Sequence, residues 1–216
     1  MNVSYLVTCH NETTCLNNLL SLLINKKTDN HEVVVVDDYS DNPDTVSILN
    51  KHKEKIEYYQ HKLDANYGAH KNYGIDQCKG KWIFQIDADE YPTDGLIENI
   101  DAILEANDHN EVIWIPRLNY FEGVTQNDIQ MWGWRYHEGM INFPDYQSRL
   151  YRNLPKIRYQ RRLHEKVEGF KSFSFIPPQK DYALVHKKTI EKQRETNNRY
   201  NKVFTEEENK GYNVRS

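Results

Sequence analysis

Within its first 104 residues the chain alternates four times between a short apolar run and a helical pattern. Residues 3–8 (VSYLVT) are apolar, and Leu16, Leu19, Leu20, Leu23 and Ile24 then recur at i, i+3, i+4, i+7 and i+8, one stripe of a helix. Residues 32–36 (EVVVV) form the kind of β-branched run that suits a strand covered on both faces. Asn42 and Pro43 read as an N-cap with Pro at the first helical position, opening a helix to about residue 51. A third strand is expected at 56–60 (IEYYQ), followed by a Gly-containing helix to about residue 78. A fourth is expected at 81–86 (KWIFQI), followed after Pro92 and Thr93 by a helix with Leu96, Ile97, Ile100, Ile103 and Leu104 on one face. Such alternation predicts an α/β fold with right-handed crossovers and a mostly parallel sheet flanked by helices.

The second half is less regular. Residues 111–121 (EVIWIPRLNYF) predict one or two strands, the stretch to about 185 loops and short strands, and 187–204 a mostly surface helix before a frayed end. Charge divides the same way: residues 1–110 carry 9 Lys+Arg against 19 Asp+Glu, and residues 111–216 carry 19 against 13. We therefore expect one domain over 1–187, with a ligand-binding half at 1–110, an irregular half at 111–187, and a helical tail at 188–216. No run approaches the ~20 apolar residues of a membrane span, and Cys9, Cys15 and Cys78 form no C-x-x-C pair. These features predict a cytoplasmic protein, with peripheral membrane contact through the basic C-terminal helix left open.

Open parallel sheets bind ligands beyond the carboxyl ends of their strands. Here those ends read Thr8-Cys9-His10-Asn11-Glu12, Asp37-Asp38-Tyr39-Ser40-Asp41 and Asp87-Ala88-Asp89-Glu90. In an extended segment Asp87 and Asp89 face one spot, and two such carboxylates repel unless a cation lies between them. A hard divalent ion completed by phosphate oxygens is the expected occupant. A Rossmann dinucleotide site or a P-loop needs glycines after the first strand, and CHNETT has none. His164-Glu165 is no zinc-protease motif, because H-E-x-x-H needs His where Glu168 stands.

Taken in order, TCHNE, VVDDYSD, NYGAHKNYGI (66–75), IDADE (86–90), PDYQSRL (144–150), LHEKV (163–167) and ALVH (183–186) resemble the GT-A glycosyltransferases of family 2. The later motifs are similar to the branch that includes lipopolysaccharide-core β-glucosyltransferases. The resemblance runs from about residue 3 to 187. It implies a Rossmann-like GT-A fold with an acceptor-side second half, and inverting transfer of a hexose-type sugar from a nucleotide donor, UDP expected before GDP or TDP. Asp38 would contact the nucleoside; Thr8, Asn11 and Glu12 would line the base and ribose pocket; Lys71 would lie near the base or phosphates.

The resemblance further implies that Asp87 approaches ribose and metal, that Asp89 is the principal ligand of a Mn2+ or Mg2+ ion, and that His186 completes its shell. The general base usually lies in a pair of acids some twenty residues before that His. Glu165 stands 21 positions before His186, but its neighbour is His164 rather than an acid, so Asp145 stays an alternative. Trp132 and Trp134 suggest an acceptor-side loop. Residues 149–171 hold 8 Lys+Arg against Glu165 and Glu168, so an anionic glycan or lipid-linked acceptor is expected ahead of nucleic acid. Two rivals remain: a sugar-1-phosphate nucleotidyltransferase, which lacks its Gly-rich signature here, and a non-catalytic sugar-nucleotide or glycan-binding module.

Overall fold

The structure, a computed structural model, describes residues 2–209. Its first half is the expected series: β1 (Val3–Cys9), α1 (Thr14–Lys26), β2 (Glu32–Asp37), α2 (Pro43–His52), β3 (Glu57–Gln60), α3 (Tyr67–Gln77) and β4 (Trp82–Asp87). Next come β5 (Glu90–Pro92), α4 (Asp94–Glu98) and α5 (Ile100–Ala106), so the helix expected after Pro92 is broken at Asn99. The run 111–121 is two strands, β6 (Val112–Ile115) and β7 (Arg117–Glu122), parted at Pro116, whose missing N–H suits a strand break. The remainder is α6 (Gln126–Met131), β8 (Tyr136–His137), β9 (Met140–Ile141), β10 (Gln147–Arg152), β11 (Arg158–Gln160), β12 (Lys166–Glu168), β13 (Phe173–Phe175), β14 (Leu184–Thr189) and α7 (Ile190–Val203).

A seven-stranded sheet runs in the order β13-β6-β10-β4-β1-β2-β3, and only β10 is antiparallel to its neighbours. Its central strands β1, β2 and β4 are buried on both faces, as the β-branched run of β2 demands. Val33 and Val35 join one apolar cluster with Leu16, Leu19 and Leu20 of α1 and Leu96 and Leu104 of α4 and α5. Val34 and Val36 point the other way, into a cluster with Ile75 of α3 and Tyr159 and Val167 of β11 and β12. Burying each of these side chains contributes roughly 1.5–3 kcal/mol. The Asn42 cap forms as the sequence predicts, its side-chain oxygen accepting from Asp44 N at 2.9 Å with Pro43 in the first turn.

A second sheet, β5-β14-β7-β9-β8, stands against the end of the first. Its registers matter for the site: β14 sets His186 opposite Glu90 of β5 and opposite Asn119 of β7. Gly68 lets α3 abut the loop between β11 and β12, since a Cβ there would lie 2.3 Å from the Arg161 carbonyl oxygen. That contact fixes the segment carrying Glu165 against the helix carrying Lys71.

The C-terminal helix is not merely surface. Its Tyr200 packs edge-on to Tyr67 and His164, and Asn209, expected in a frayed tail, is buried and pairs with the His164 ring at 2.8 Å. Residues 210–216 of that tail lie outside the described residues. The three cysteines are free thiols, and no described helix is long and apolar enough to cross a membrane.

Candidate active site

The carboxyl ends of β1, β2 and β4 open onto a cavity of about 720 Å³. Thr8, Glu12, Asp38, Lys71, Asp87 and Asp89 line it from the first half, and Glu165 and His186 from the second. The α7 side contributes Lys188, Lys192, Arg199 and Tyr200, none of which the sequence singled out. Strand alternation was the available signal for Lys188, which stands two residues beyond His186 in β14 and so shares its face.

Of the paired aspartates after β2, Asp37 is structural. It is buried and accepts from the Ser40 backbone at 3.1 Å, the Tyr58 hydroxyl at 2.9 Å and Gln60 at 3.3 Å. Asp38 faces the cavity, with one carboxylate oxygen accepting from Leu63 N at 2.8 Å, and His10 Nδ1 donates to its backbone carbonyl at 2.7 Å. Asn11, expected in the base pocket, is instead spent on the chain. Its side-chain oxygen accepts from Asp41 N at 3.0 Å and Asn42 N at 2.9 Å, and its amide donates to Asp41 at 2.8 Å. Two backbone N–H groups ahead of a helix need an acceptor, and Asn11 supplies it.

The two carboxylates of Asp87-Ala88-Asp89 do not share one partner. The chain turns at Ala88 and Asp89, so the extended geometry that would aim both at one spot is lost. Asp87 is surrounded by donors: Lys71 at 3.0 Å, Arg149 at 2.5 Å, Gln85 at 2.8 Å and Thr8 at 3.2 Å. Burial pushes its carboxyl up, but the Arg149 and Lys71 charges outweigh that and hold it well below the usual range. Asp89 stands apart, its Oδ2 3.4 Å from His186 Nε2. Burial raises the Asp89 carboxyl too, yet the imidazole beside it holds it at about 2.

The His186 ring is oriented from behind. Its Nδ1 lies 3.0 Å from the Asn119 side-chain oxygen, while the Asn119 amide donates to Asp145 at 2.7 Å. With the proton on Nδ1, Nε2 either carries a second proton toward the Asp89 oxygen or presents a lone pair beside it. Two acceptors 3.4 Å apart repel unless a proton or a cation lies between them. Asp89 and His186 therefore fit a hard or borderline divalent ion as two ligands. The three-ligand set expected from the sequence is not assembled: Asp87 is saturated by Lys71 and Arg149, and among the described residues no group of three His, Cys, Asp or Glu is disposed to hold a metal.

The two candidate bases differ sharply. Glu165 lines the cavity, with Oε1 2.6 Å from Lys71 Nζ. Asp145 is locked behind Asn119 and Arg117, accepting from Arg117 Nε at 2.9 Å and Nη2 at 2.6 Å. Burial raises the Asp145 carboxyl, and Arg117 together with Asn119 more than reverses that shift. Lys71 is buried, which disfavours its charge, but Asp87 and Glu165 raise its pKa above the ordinary value.

Five of the eight cations in the basic run of 149–171 are taken up in ion pairs. Arg149 is buried against Asp87, Glu90 and Gln85. Arg152 lies at the far end of β10 because that strand runs antiparallel to β4; it stacks over Trp82 and pairs with Asp108. Lys156, Arg158 and Arg162 end on Glu111, Asp76 and Glu208. Trp132 and Trp134 are packed rather than loose: Trp134 stacks on Phe121 at 4.9 Å, and Phe121 meets His186 edge-on at 6.0 Å.

Comparison with known proteins fits this geometry. An uncharacterized glycosyltransferase of Haemophilus influenzae is 28% identical over 142 residues, 64% of this chain and 42% of that protein. The poly(ribitol-phosphate) beta-N-acetylglucosaminyltransferase TarP of Staphylococcus aureus is 24% identical over 115 residues, 51% of this chain and 35% of that protein. The chain thus spans less than half the length of these two relatives. The crystal structure of S. aureus TarS 1-349 superposes with a TM-score of 0.57 at 20% identity, covering 87% of this chain and 60% of that one, a likeness of fold. The same protein in complex with UDP-GlcNAc gives 0.52 at 18% identity, over 87% and 58%. The description of glycosyl transferase family 2 matches residues 4–175, and with most of its length inside that match the chain belongs to this family.

Proposed function

We propose that the chain carries out metal-dependent, inverting transfer of a hexose-type sugar from a UDP-sugar to an acceptor hydroxyl. The observation that carries this is the meeting, in one cavity at the strand ends, of an Asp89–His186 pair able to hold a cation with a Glu165 carboxylate open to a nucleophile. The UDP-GlcNAc complex of TarS and the names of TarS and TarP support the donor class and a glycan or polyol-phosphate acceptor.

In this scheme Asp38 and Thr8 border the nucleoside, and Asp89 and His186 hold a Mn2+ or Mg2+ ion. When bound, that ion supplies positive charge to the diphosphate as the leaving group forms, which is stabilisation aimed where charge develops. Asp87, its oxygens occupied by Lys71, Arg149, Gln85 and Thr8, would accept from a ribose hydroxyl only by exchanging one of these partners. Glu165 takes the acceptor's proton; Lys71, 2.6 Å away, orients one of its oxygens and leaves the other for the hydroxyl. The Asn119–Asp145–Arg117 network positions His186 and makes Asp145 a poor base, since its oxygens already accept from Arg117, Asn119 and Gln147.

A screen of UDP-, GDP- and TDP-sugars with manganese, magnesium or chelator tests the proposal. We expect metal-dependent binding of a UDP-sugar with slow release of UDP. Binding without release under any acceptor would favour the non-catalytic module, and no binding at all would remove the nucleotide-sugar assignment.

A further inference from the structure

Cations are unevenly matched around the cavity. Lys71 ends on Asp87 and Glu165, Arg117 on Glu90 and Asp145, and Lys192 on Glu12. Lys188 differs. It is half-buried at the end of β14, its ammonium contacts the neutral Thr196 hydroxyl at 3.3 Å, and among the described residues it forms no ion pair. Burial disfavours its charge, and the compensating carboxylates, Asp89 and Glu12, lie beyond ion-pair distance, so the ammonium keeps capacity for an anion that enters the cavity.

Its place defines which anion. Lys188 and His186 sit on the same face of β14, roughly 7 Å apart along the strand, while exposed Lys187 points to the opposite side. Asp89 is beside His186, so the proposed ion and Lys188 flank one stretch of cavity at two separate points. A group carrying two linked phosphates can engage both; a single phosphate held at Asp89 and His186 leaves Lys188 unmatched.

We propose that Lys188 is a diphosphate-binding residue whose ammonium receives the phosphate of the donor that the Asp89–His186 ion does not neutralise. This rests on the nucleotide-sugar assignment above. In the transfer step the acceptor oxygen forms its bond to the anomeric carbon while the bond from that carbon to the phosphate oxygen breaks. The electron pair departs on that oxygen, the acceptor's proton goes to Glu165, and Lys188 meets part of the charge released onto the diphosphate. Lys192 and Arg199 are less suited, the first being paired with Glu12 and both being exposed.

The test is calorimetric titration of the full chain with UDP, GDP and TDP and with each monophosphate, in manganese and in chelator. Wild type is compared with Lys188→Ala, Lys188→Gln, Lys188→Arg and the strand-opposite control Lys187→Ala, with thermal melts to establish folding. The expected result is a loss of about tenfold or more in affinity for the bound diphosphate in the Ala and Gln variants, in the range of a lost charge-assisted hydrogen bond. That loss should persist in chelator, spare the monophosphate, be largely restored by Arg, and be absent in Lys187→Ala. Undiminished diphosphate affinity in folded Lys188→Ala and Lys188→Gln overturns the inference while the nucleotide-sugar assignment stands, as does an equal loss for mono- and diphosphate. If wild type itself binds no nucleoside diphosphate, the assignment falls and the inference falls with it.

Discussion

Substituting the two candidate bases should give opposite phenotypes, because the structure loads them differently. Asp145 accepts from Arg117 at 2.9 and 2.6 Å, from Asn119 at 2.7 Å and from Gln147 at 3.1 Å, with its side chain 27% exposed. Asp145→Asn removes the charge facing Arg117 and inserts an NH2 group among donors. Breaking a fully buried pair costs about 3–5 kcal/mol; discounting for exposure leaves about 2 kcal/mol, or ~4–8 °C in melting temperature for a chain of this size. Glu165 has one pairing, with Lys71 at 2.6 Å, and Lys71 keeps Asp87 at 3.0 Å when that is lost. Glu165→Gln retains an acceptor, so its stability should change by less than about 1 kcal/mol. Its rate, by contrast, should fall roughly 10²–10⁴-fold, the usual worth of a general base. The assay is release of nucleoside diphosphate per mole of folded protein, measured beside thermal melts. Turnover within tenfold of wild type in Glu165→Gln, or a stable but inactive Asp145→Asn, would refute the assignment and return the base to Asp145.

Three further outcomes are expected. Asp89→Ala should fold normally yet abolish turnover, and its affinity for nucleoside diphosphate should match that of wild type in chelator; a metal response surviving in the variant would dismiss Asp89 as a ligand. Gly68→Ala should destabilise by more than the ~1 kcal/mol that Ala gains over Gly in a helix, because its Cβ would stand 2.3 Å from a backbone carbonyl that cannot withdraw; an unchanged or raised urea midpoint would contradict the packing described. The Asp145 carboxyl is depressed in the folded chain, so its stabilisation is complete above the unfolded value of about 3.9 and lost as the pH falls through the lower folded value. Urea melts of wild type and Asp145→Asn should therefore converge as the pH falls below about 4, and a gap that widens on acidification would show the sign to be wrong.

Much of the scaffold was legible because local patterns and tertiary contacts demand the same thing. The four valines of 33–36 had to be covered on both faces, and the two sets of alternate residues enter two different apolar clusters. The Asn42–Pro43 start and the leucine stripe of α1 needed no distant partner to be recognised. Polar residues at the ends of β1, β2 and β4 then had to meet, since parallel strands in one sheet end at one edge.

What sequence alone determined is therefore the α/β scaffold, the edge that bears the chemistry, and the residue types gathered there. Tertiary structure decided which of those residues are free to act. A turn at Ala88 separates Asp87 from Asp89, and Arg149, 62 residues away, claims the first. Asn11 becomes a backbone cap, and Asp145 becomes the anchor behind His186 through Arg117 and Asn119. Five of the eight cations in 149–171 enter ion pairs because a strand and its loops point successive side chains to different sides. Lys188 reaches the cavity only because β14 lies beside β5 and β7. A side chain's type is local, but its hydrogen-bond partners, and so its remaining capacity to bind, are set by whatever the fold packs against it.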